Sequence, residues 1–244
     1  MNFFFYIIFY VYLKLHRHKK SKIKAKILSA IFLSSKFKFK LIKYINQTKS
    51  QLFQELFVIN FLNFKKKSFF IEFGASDGIF CSNTYILEKF FLWDGILAEP
   101  SKFWQKKIKK NRKCKVFYGA ISTQSKKKVN FYENISPGLS SLFCSKKNFV
   151  KSYKVNTMSI NDLLKKYKSP KNIDYLSIDT EGKEYEIIKS LNFKKYRPKI
   201  ITIEHNYKSD KKLIENFLIR KNYKTFNKSL TQYDMWFYDK EIKY

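Results

Sequence analysis

The sequence predicts an α/β fold, with a mostly parallel β-sheet that carries helices on both faces. From residue 50 onward, short apolar segments alternate with segments of helical periodicity, which is typical of strand–helix–strand units. Residues 223–239, YKTFNKSLTQYDMWFYD, have two strand-like runs around NKSLTQ and predict a hairpin. Because hairpin strands run in opposite directions, one of the two must be antiparallel to the rest of the sheet. The 244 residues and 45% hydrophobic content suffice for one large domain.

Three strands separated by helices are predicted in the first half of this domain. Residues 50–62, SQLFQELFVINFL, have apolar side chains at helical spacing and predict an amphipathic helix. The strand 68–73 follows, and CSNTYILEKFF after its glycine break predicts a helix. Next come a buried strand in GILAEP that Pro100 ends, a helix in KFWQKKIKKN with Phe103 and Trp104 facing inward, and a third strand in CKVFYGAI.

Residues 122–157 interrupt this rhythm. The runs KKKVNFYEN and YKVNTMS predict a pair of strands joined by the flexible loop ISPGLSSL, an insertion suited to cover a substrate. After it the alternation resumes, with a helix at 160–167, a strand at 173–179, a helix at 183–191, a strand at 199–205 and a helix at 210–220.

The formal net charge of +31, from 50 basic against 19 acidic residues, would suit a polyanion or an anionic membrane as partner. Nearly all of it is lysine, however, in a chain also rich in Phe, Tyr, Ile and Asn, which is the composition that AT-rich codons produce. Arginine is the better residue for bidentate phosphate and guanine contacts, so its scarcity argues against sequence-specific nucleic-acid binding. Three widely spaced cysteines, Cys81, Cys114 and Cys144, exclude a disulfide framework and indicate a reducing cytoplasm.

Residues 1–49 are interpreted as an extension that precedes the domain of residues 50–244. The extension begins with MNFFFYIIFYVYL, followed by the basic run KLHRHKKSKIKAK. Thirteen apolar residues are fewer than the roughly 20 that span a bilayer, and no positive segment precedes them as in a secretory signal. One interpretation is a peripheral anchor in which residues 1–20 lie on an anionic membrane surface. The alternatives are a helix packed on the domain or a start codon assigned too early.

The segment KSFFIEFGASDGIF places Glu72 inside the first strand and breaks it at Gly74, Asp77 and Gly78. Ligands of open parallel sheets bind at the carboxyl ends of the strands, and glycines there allow positive φ and close approach of a ligand. The two acids suit ammonium or hydroxyl groups rather than a pyrophosphate, and Glu99 after the second strand can accept hydrogen bonds from ribose hydroxyls. This pattern predicts S-adenosylmethionine as cofactor, whereas the alternative interpretation is a plain strand-to-helix turn.

Several segments in register resemble the FkbM family of S-adenosylmethionine-dependent methyltransferases over about residues 50–240. They are SQLFQELFVINFL, FFIEFGASDGIFCSNTYILEK, WDGILAEP, YGAIS, LSIDTEGKEYEIIKSL and ITIEHN. The resemblance implies the class I methyltransferase fold, a Rossmann-like, seven-stranded sheet whose last hairpin supplies the single antiparallel strand. It also implies cofactor-binding roles for the loop residues Glu72, Gly74, Asp77 and Gly78, for the helix start Ser82, Asn83 and Thr84, for the ribose acid Glu99, and for Gly119 and Ala120 at the adenine edge.

Acidic side chains also end the fourth and fifth strands. SIDTEGKEYE carries Asp179 and Glu181, and ITIEHN carries Glu204 and His205. Adjacent strands lie about 4.8 Å apart, so these ends are expected to converge beside the transferred methyl group. A neutral His205 could take the proton of a hydroxyl acceptor with Asp179 orienting it, or Asp179 could itself be the base.

Two other interpretations of these strand ends stay open. Asp179, Glu204 and His205 could hold Mg²⁺ or Mn²⁺, which would lower the pKa of the acceptor hydroxyl. Structurally, Glu181 and Gly182 could merely start a helix, and His205 could be a satisfied residue at a strand end.

The resemblance implies O-methylation of a hydroxyl on a sugar, a glycan precursor or a small metabolite. RNA methylation is an alternative that the positive charge suggests. A non-catalytic membrane- or partner-binding module is another, and the intact acids Glu72, Glu99 and Asp179 argue against it.

Overall fold

A computed structural model describes residues 3–143, 148–207 and 209–242, so Cys144 lies outside the described residues. The helices are α1 (Phe3–Leu15), α2 (Ser21–Ser34), α3 (Lys38–Ile42), α4 (Gln54–Phe61), α5 (Tyr85–Phe91), α6 (Lys102–Asn111), α7 (Ile160–Lys166), α8 (Glu184–Ser190) and α9 (Asp210–Arg220). The strands are β1 (Phe69–Phe73), β2 (Asp94–Ala98), β3 (Lys115–Phe117), β4 (Ala120–Ser122), β5 (Lys128–Asn134), β6 (Phe149–Ser159), β7 (Asn172–Ile178), β8 (Arg197–Glu204), β9 (Tyr223–Thr225) and β10 (Asp234–Asp239). Short 3₁₀ turns lie at Ile45–Gln47 and Pro137–Leu139.

A seven-stranded sheet forms the centre of the molecule, in the order β3-β2-β1-β7-β8-β10-β9. Strand β10 pairs antiparallel with both β8 and β9, and the other pairs in this sheet are parallel. This arrangement confirms the predicted class I methyltransferase sheet and its hairpin. In the register of the central strands, Phe73 pairs with Ala98 and with Ile178, and Ile178 pairs with Ile203, so their carboxyl ends form one edge.

Apolar side chains cover both faces of this sheet, as the sequence predicts. One cluster joins the sheet to the N-terminal helices and to α4, α5 and α6. The other joins it to α7, α8 and α9 through buried residues such as Leu163, Ile188 and Leu218. Apolar strands buried on both sides are expected for a parallel sheet between two helical layers.

Helix α4 differs from its amphipathic prediction, because all of its residues are buried. The N-terminal helices cover the side that would otherwise face water, and Leu28, Ile31 and Leu41 share one apolar cluster with α4. The Phe57 ring stacks on Trp236 of β10, with their centroids 4.9 Å apart. Residues 3–49 therefore pack against the domain as part of its core, and the predicted boundary after residue 49 stays a prediction.

Two local predictions in the first half of the sheet are wrong. The segment CKVFYGAI does not form one strand, because β3 joins the large sheet and β4 joins a separate three-stranded sheet, in the order β4-β6-β5. Helix α6 has the predicted bounds, but the Phe103 side chain is 52% exposed while Trp104 is half-buried. Phe103 instead packs edge-on against the Trp104 ring.

The insertion forms the predicted pair of antiparallel strands, β5 and β6. The Tyr153 hydroxyl of β6 donates a hydrogen bond of 2.6 Å to Glu133 and accepts one of 2.8 Å from the Lys102 backbone. The bond from Lys102 attaches the insertion to the first turn of α6, whereas the bond to Glu133 joins β6 to β5.

Helix α1 packs on the domain through Phe9 and Leu13 and exposes apolar side chains on its other side. None of the helices in the described part of the chain has the length and apolar character that crossing a membrane requires.

Candidate active site

A cavity of about 800 Å³ opens at the carboxyl edge of the central strands. This volume lies in the range of small-molecule and cofactor sites. Its walls include the loop after β1, the end of β2, the loop after β7, the end of β8 and residues 135–140 and Leu142 of the insertion. The predicted site residues that line it are Gly74, Asp77, Asn83, Glu99, Ala120, Asp179 and Glu204.

Both glycines of the β1 loop adopt positive φ, +79° at Gly74 and +83° at Gly78. A Cβ at Gly74 would lie 1.9 Å from the Asp179 carbonyl oxygen, and one at Gly78 would lie 2.6 Å from Cγ of Arg112. Contacts within the protein therefore require these glycines, in addition to the ligand approach that the sequence suggests. Between them, Asp77 Oδ1 accepts hydrogen bonds from the backbone of Ile79 and Phe80 and shapes the turn.

Glu72 lies beneath the cavity and does not line it. Its carboxylate accepts hydrogen bonds from the Ser82 hydroxyl (3.0 Å), the Asn83 backbone (2.6 Å) and the Thr84 hydroxyl (2.5 Å). Ser82 and Thr84 thus face the protein interior, while Asn83 reaches the cavity. The structure gives Glu72 the role of fixing the segment that leads into α5.

Arg112 supports the same segment from the end of α6, and sequence reasoning missed it. Its buried guanidinium donates to Glu88, to the Gly78 carbonyl and to the hydroxyls of Ser82 and Thr84. It also lies 3.6 Å from the Glu72 carboxylate. Arginine suits this position because its five donors lie in one plane. The only signal in the sequence was the scarcity of arginine itself.

Glu99 lies at the floor of the cavity after β2. One carboxylate oxygen accepts from the Ser76 backbone and the other from the Ser101 backbone, each at 2.8 Å. Burial raises the pKa of Glu99 to about 7, and the charge of Glu72 acts in the same direction. The two hydrogen bonds act against this increase. Each oxygen can accept a further hydrogen bond from a ligand hydroxyl, and the ribose role of Glu99 stays a prediction.

Of the two residues predicted at the adenine edge, one lines the cavity and the other does not. Ala120 lines it together with Ile121 and Phe131, whereas Gly119 does not. A Cβ at Gly119 would lie 2.5 Å from the Asn156 carbonyl oxygen, so this glycine permits close packing of the insertion.

Asn83 provides an observation that fits a polar cofactor. Its amide nitrogen donates to the Ser177 hydroxyl at 2.9 Å, which leaves the amide oxygen facing inward. That oxygen is buried and has no hydrogen-bond partner. Buried acceptors without a partner are unfavourable, and an ammonium or hydroxyl donor of a bound molecule would satisfy this one.

Three carboxylates converge at the ends of β7 and β8. Oxygens of Asp179, Glu181 and Glu204 lie within 4.8 Å of one another, close enough to hold a cation. Burial raises the pKa of Asp179 well above its usual range, and the negative charges of Glu204 and Glu181 add to this increase. A hydrogen bond to Glu204 also favours the protonated form of Asp179. Burial and Glu181 raise the pKa of Glu204 to about 8.

The loop that carries Asp179 and Glu181 is fixed by Glu184 of α8. One carboxylate oxygen of Glu184 accepts hydrogen bonds from the backbone and hydroxyl of Thr180 and from the Gly182 backbone. Glu181 itself has a positive φ of 58°, which is uncommon for a residue with a side chain. The sequence places Glu181 among the acids at the strand ends, with a helix start as the alternative, but it indicates no catalytic or metal role for Glu181 and no role for Glu184.

The structure does not bring His205 to this cluster. Successive residues of a strand point to opposite faces, so Glu204 faces the cavity while the His205 ring turns away from it. Nδ1 of His205 accepts a hydrogen bond of 3.0 Å from the Tyr207 backbone. Burial, with the charge of Lys211, lowers the pKa of His205, so the ring is neutral. Glu181 takes the place that the sequence gave to His205.

Acidic side chains outnumber basic ones at the cavity, the reverse of the whole chain. Five carboxylates line it, those of Asp77, Glu99, Asp179, Glu181 and Glu204. The basic side chains among the described lining residues are Lys107 and Lys183. This acidic surface favours a ligand with positive and hydroxyl groups over one with several phosphates.

The sequence profile of the family described as Methyltransferase FkbM domain matches residues 72–225. No curated protein sequence matches the chain.

Similar solved structures have low identity. Methyltransferase FkbM from Methylobacillus flagellatus KT is 10% identical, with a TM-score of 0.47 over 87% of this chain and 58% of its own. Precorrin-6y C5,15-methyltransferase from Geobacter metallireducens GS-15 is 9% identical, with a TM-score of 0.43 over 75% of this chain and 84% of its own. A human methyltransferase 10 domain containing protein is 16% identical, with a TM-score of 0.40 over 72% and 73%.

Proposed function

Because the chain belongs to the FkbM methyltransferase domain family, we propose that it methylates a hydroxyl group of a sugar, a glycan precursor or a small metabolite. S-adenosylmethionine, the cofactor of this family, supplies an electrophilic methyl group on a positively charged sulfur. The acidic cavity is the observation that carries the proposal, since five carboxylates line it in a chain of net charge +31. Such a cavity suits a cationic cofactor and an acceptor rich in hydroxyl groups.

The residues of the cavity divide between cofactor and acceptor. Glu99 would accept hydrogen bonds from ribose hydroxyls, Ala120 would lie along the adenine, and Asp77 and Asn83 would receive the positive amino-acid portion. The loop after β7 and the end of β8 then face the acceptor, with Asp179 and Glu204 as the groups that hold or take its proton.

Proton transfer at this pair needs an ionised carboxylate. With its pKa near 8, Glu204 ionises before Asp179, whose proton the shared hydrogen bond retains. The ionised Glu204 oxygen would accept the hydroxyl proton, and the bound cofactor would supply the methyl group and keep the electron pair of the carbon–sulfur bond on its sulfur. Positioning by the fixed loop adds to this effect.

A divalent cation held by Asp179, Glu181 and Glu204 is the competing account of how the hydroxyl is activated. Titration of the protein with Mn²⁺ in a calorimeter distinguishes the two, since it needs no substrate. Proton transfer alone predicts no specific Mn²⁺ binding and a rate that a chelator leaves unchanged. Tight binding that Glu181→Gln removes, with loss of activity on chelation, would establish the cation.

The function is tested by titrating the chain with S-adenosylmethionine and then offering mono- and oligosaccharides with a labelled methyl donor. We expect binding, and label transfer to an acceptor hydroxyl. RNA serves as the competing acceptor, because the positive surface could bind it. Label transfer to RNA alone, weakening steeply as salt increases, would replace the hydroxyl-acceptor proposal with RNA methylation.

A further inference from the structure

Helix α1 presents an exposed apolar stripe. Phe4, Ile8, Val11 and Leu15 recur at helical spacing, and each is exposed in the folded chain. Phe3 and Ile7 extend the stripe sideways. The opposite side of the helix is buried through Phe9 and Leu13, so the orientation of the stripe is fixed by the core. Contiguous exposed apolar surface of this kind marks an interaction site.

The chain segment that carries the stripe is basic and contains no acidic residue. Residues 1–49 contain eleven lysines and one arginine, and the first acidic residue of the chain is Glu55. Where α1 meets α2, Lys14, Lys20 and Lys22 line a shallow cavity of about 300 Å³ together with Tyr10, Ser21 and Ile23. Three ammonium groups beside an aromatic hydroxyl suit an anionic head group.

We propose that this face of α1, with the lysines at the α1–α2 junction, docks on an anionic bilayer surface. The apolar side chains would enter the boundary between head groups and acyl chains, and the lysines would contact the head groups. A helix of 13 residues is too short to span the bilayer but long enough to lie along its surface.

Two other occupants fit the surface less well. A second copy of the chain would bring two groups of twelve positive charges together, which repel each other. A nucleic acid would neutralise the lysines but would leave Phe4, Ile8 and Val11 in water. Only an anionic surface with an apolar interior complements both features.

The docking face adjoins the wall of the reaction cavity. The Lys20 ammonium lies 5.1 Å from the centroid of the Tyr233 ring, and the Tyr233 hydroxyl donates a hydrogen bond of 2.8 Å to Gln51. Tyr233 and Gln51 both line the cavity. A docked chain therefore holds this wall of the cavity close to the lipid surface.

Sedimentation of the full chain with lipid vesicles tests the proposal without any methylation assay. We expect the protein to pellet with vesicles that contain phosphatidylglycerol and to stay in the supernatant with pure phosphatidylcholine. High salt should weaken the binding, because screening reduces the attraction of exposed charges. Ile8→Glu should reduce the bound fraction at least tenfold.

The matched control is Ile219→Glu on α9, since the two isoleucines are 44% and 45% exposed. This control should bind as the unchanged chain does. If circular dichroism shows that Ile8→Glu does not fold, a double variant with Lys14→Gln and Lys22→Gln replaces it in the vesicle assay. Its control is the double variant with Lys194→Gln and Lys212→Gln.

Three outcomes would overturn the proposal. The first is no pelleting with either vesicle, and the second is an equal loss of binding in the test and control variants. The third is that the chain binds another partner and no vesicle. Light scattering would then show a dimer that depends on Ile8, or the chain would bind RNA alone.

Discussion

Removal of Arg112 should destabilise the fold strongly. Its guanidinium is buried beside Glu72, and it bonds to Glu88, Ser82 and Thr84 at once. Breaking a buried ion pair typically costs about 3–5 kcal/mol, because one charge is left without a partner. We expect Arg112→Leu to lower the free energy of unfolding by this amount in urea titrations.

Arg112→Lys should also destabilise, since one ammonium cannot replace the planar fork. The exposed Arg220 on α9 offers the matched control, Arg220→Lys. Equal unfolding midpoints for both lysine variants would contradict the role of Arg112.

Glu99 should make cofactor affinity depend on pH. Its pKa of about 7 means that the carboxylate is protonated below neutrality and ionised above it. Because the ionised form is the better acceptor for ribose hydroxyls, affinity for S-adenosylmethionine should increase as the pH rises through 7. Glu99→Gln should weaken binding by about 1.5–3 kcal/mol and flatten this dependence, as measured by calorimetry.

The matched control for Glu99 is Glu215→Gln, which changes a carboxylate outside the cavity. Its affinity and pH dependence should equal those of the unchanged chain. A Glu99→Gln variant that keeps its pH dependence would show that another group causes it.

Glu204 should control the pH dependence of turnover. The rate should rise as the pH approaches 8 from below, since the ionised carboxylate is the base. Glu204→Gln should lower turnover about 10²- to 10⁴-fold and remove this rise, with cofactor affinity nearly unchanged. His205→Gln is the control, because its ring lies outside the cavity. Loss of turnover in the His205 variant, with an unchanged free energy of unfolding, would indicate that His205 is the base.

At this scale the sequence predicted the residue types of the site better than their directions. Asp179 and Glu204 lie where the strand ends indicated, because parallel strands align their carboxyl ends. His205 could not be separated from Glu204 without knowing which face of β8 meets the cavity. Glu181 lies in the cluster with a positive φ angle at its backbone, and no pattern in the sequence predicted this conformation.

At the scale of elements, Tyr153 joins the insertion hairpin to the start of α6, beside the hydrogen bond that the Ser101 hydroxyl donates to Glu133. Tyr153→Phe removes the hydrogen bonds to Glu133 and to the Lys102 backbone. Since the insertion loop lines the cavity, we expect KM for the acceptor to rise about 3- to 10-fold with a smaller change in kcat, as each bond contributes roughly 0.5–1.5 kcal/mol.

Tyr132→Phe on the neighbouring strand is the control, because its exposed hydroxyl only accepts a weak bond of 3.4 Å from Asn130. Kinetic constants that change equally in both variants would count against a specific attachment through Tyr153.

The bounds of elements were predictable where a local signal fixes them. Helix α6 begins after Ser101, whose hydroxyl accepts from the Phe103 backbone, and Ser is a preferred residue at this position. The division of CKVFYGAI into β3 and β4 carries no such signal, since it follows from the pairing of β4 with β6. The burial of α4 on every side likewise depends on tertiary packing, with the N-terminal helices on one side and β10 on the other.

For the whole molecule, buried carboxyl groups should make stability decrease as the pH rises. Burial raises the pKa of Glu55 and Glu99 to about 7, of Asp234 to about 6 and of Glu204 to about 8. Groups with a raised folded pKa stabilise the protein fully below their unfolded pKa and lose this effect as the pH passes the folded value. The free energy of unfolding should therefore be lower at pH 8 than at pH 5 by several kcal/mol, as each pKa unit corresponds to about 1.4 kcal/mol.

Asp234→Asn should reduce this slope, because an amide does not ionise in this pH range. The amide oxygen can still accept the hydrogen bond that Gln54 donates, so the contact with α4 is kept. Urea titrations at both pH values measure it. Higher stability at pH 8 than at pH 5 would contradict the raised pKa values.

The contact between α4 and β10 has a consequence for biosynthesis. Gln54 and Asp234 bond to each other although 180 residues separate them, and Phe57 stacks on Trp236. While the ribosome is still translating the chain, the N-terminal helices and α4 have no complete sheet face on which to pack. Contacts of such long sequence separation form late and leave apolar surface exposed until then. Nascent chains of this protein should accordingly depend on chaperones until the codons of β10 have been read and this strand has left the exit tunnel.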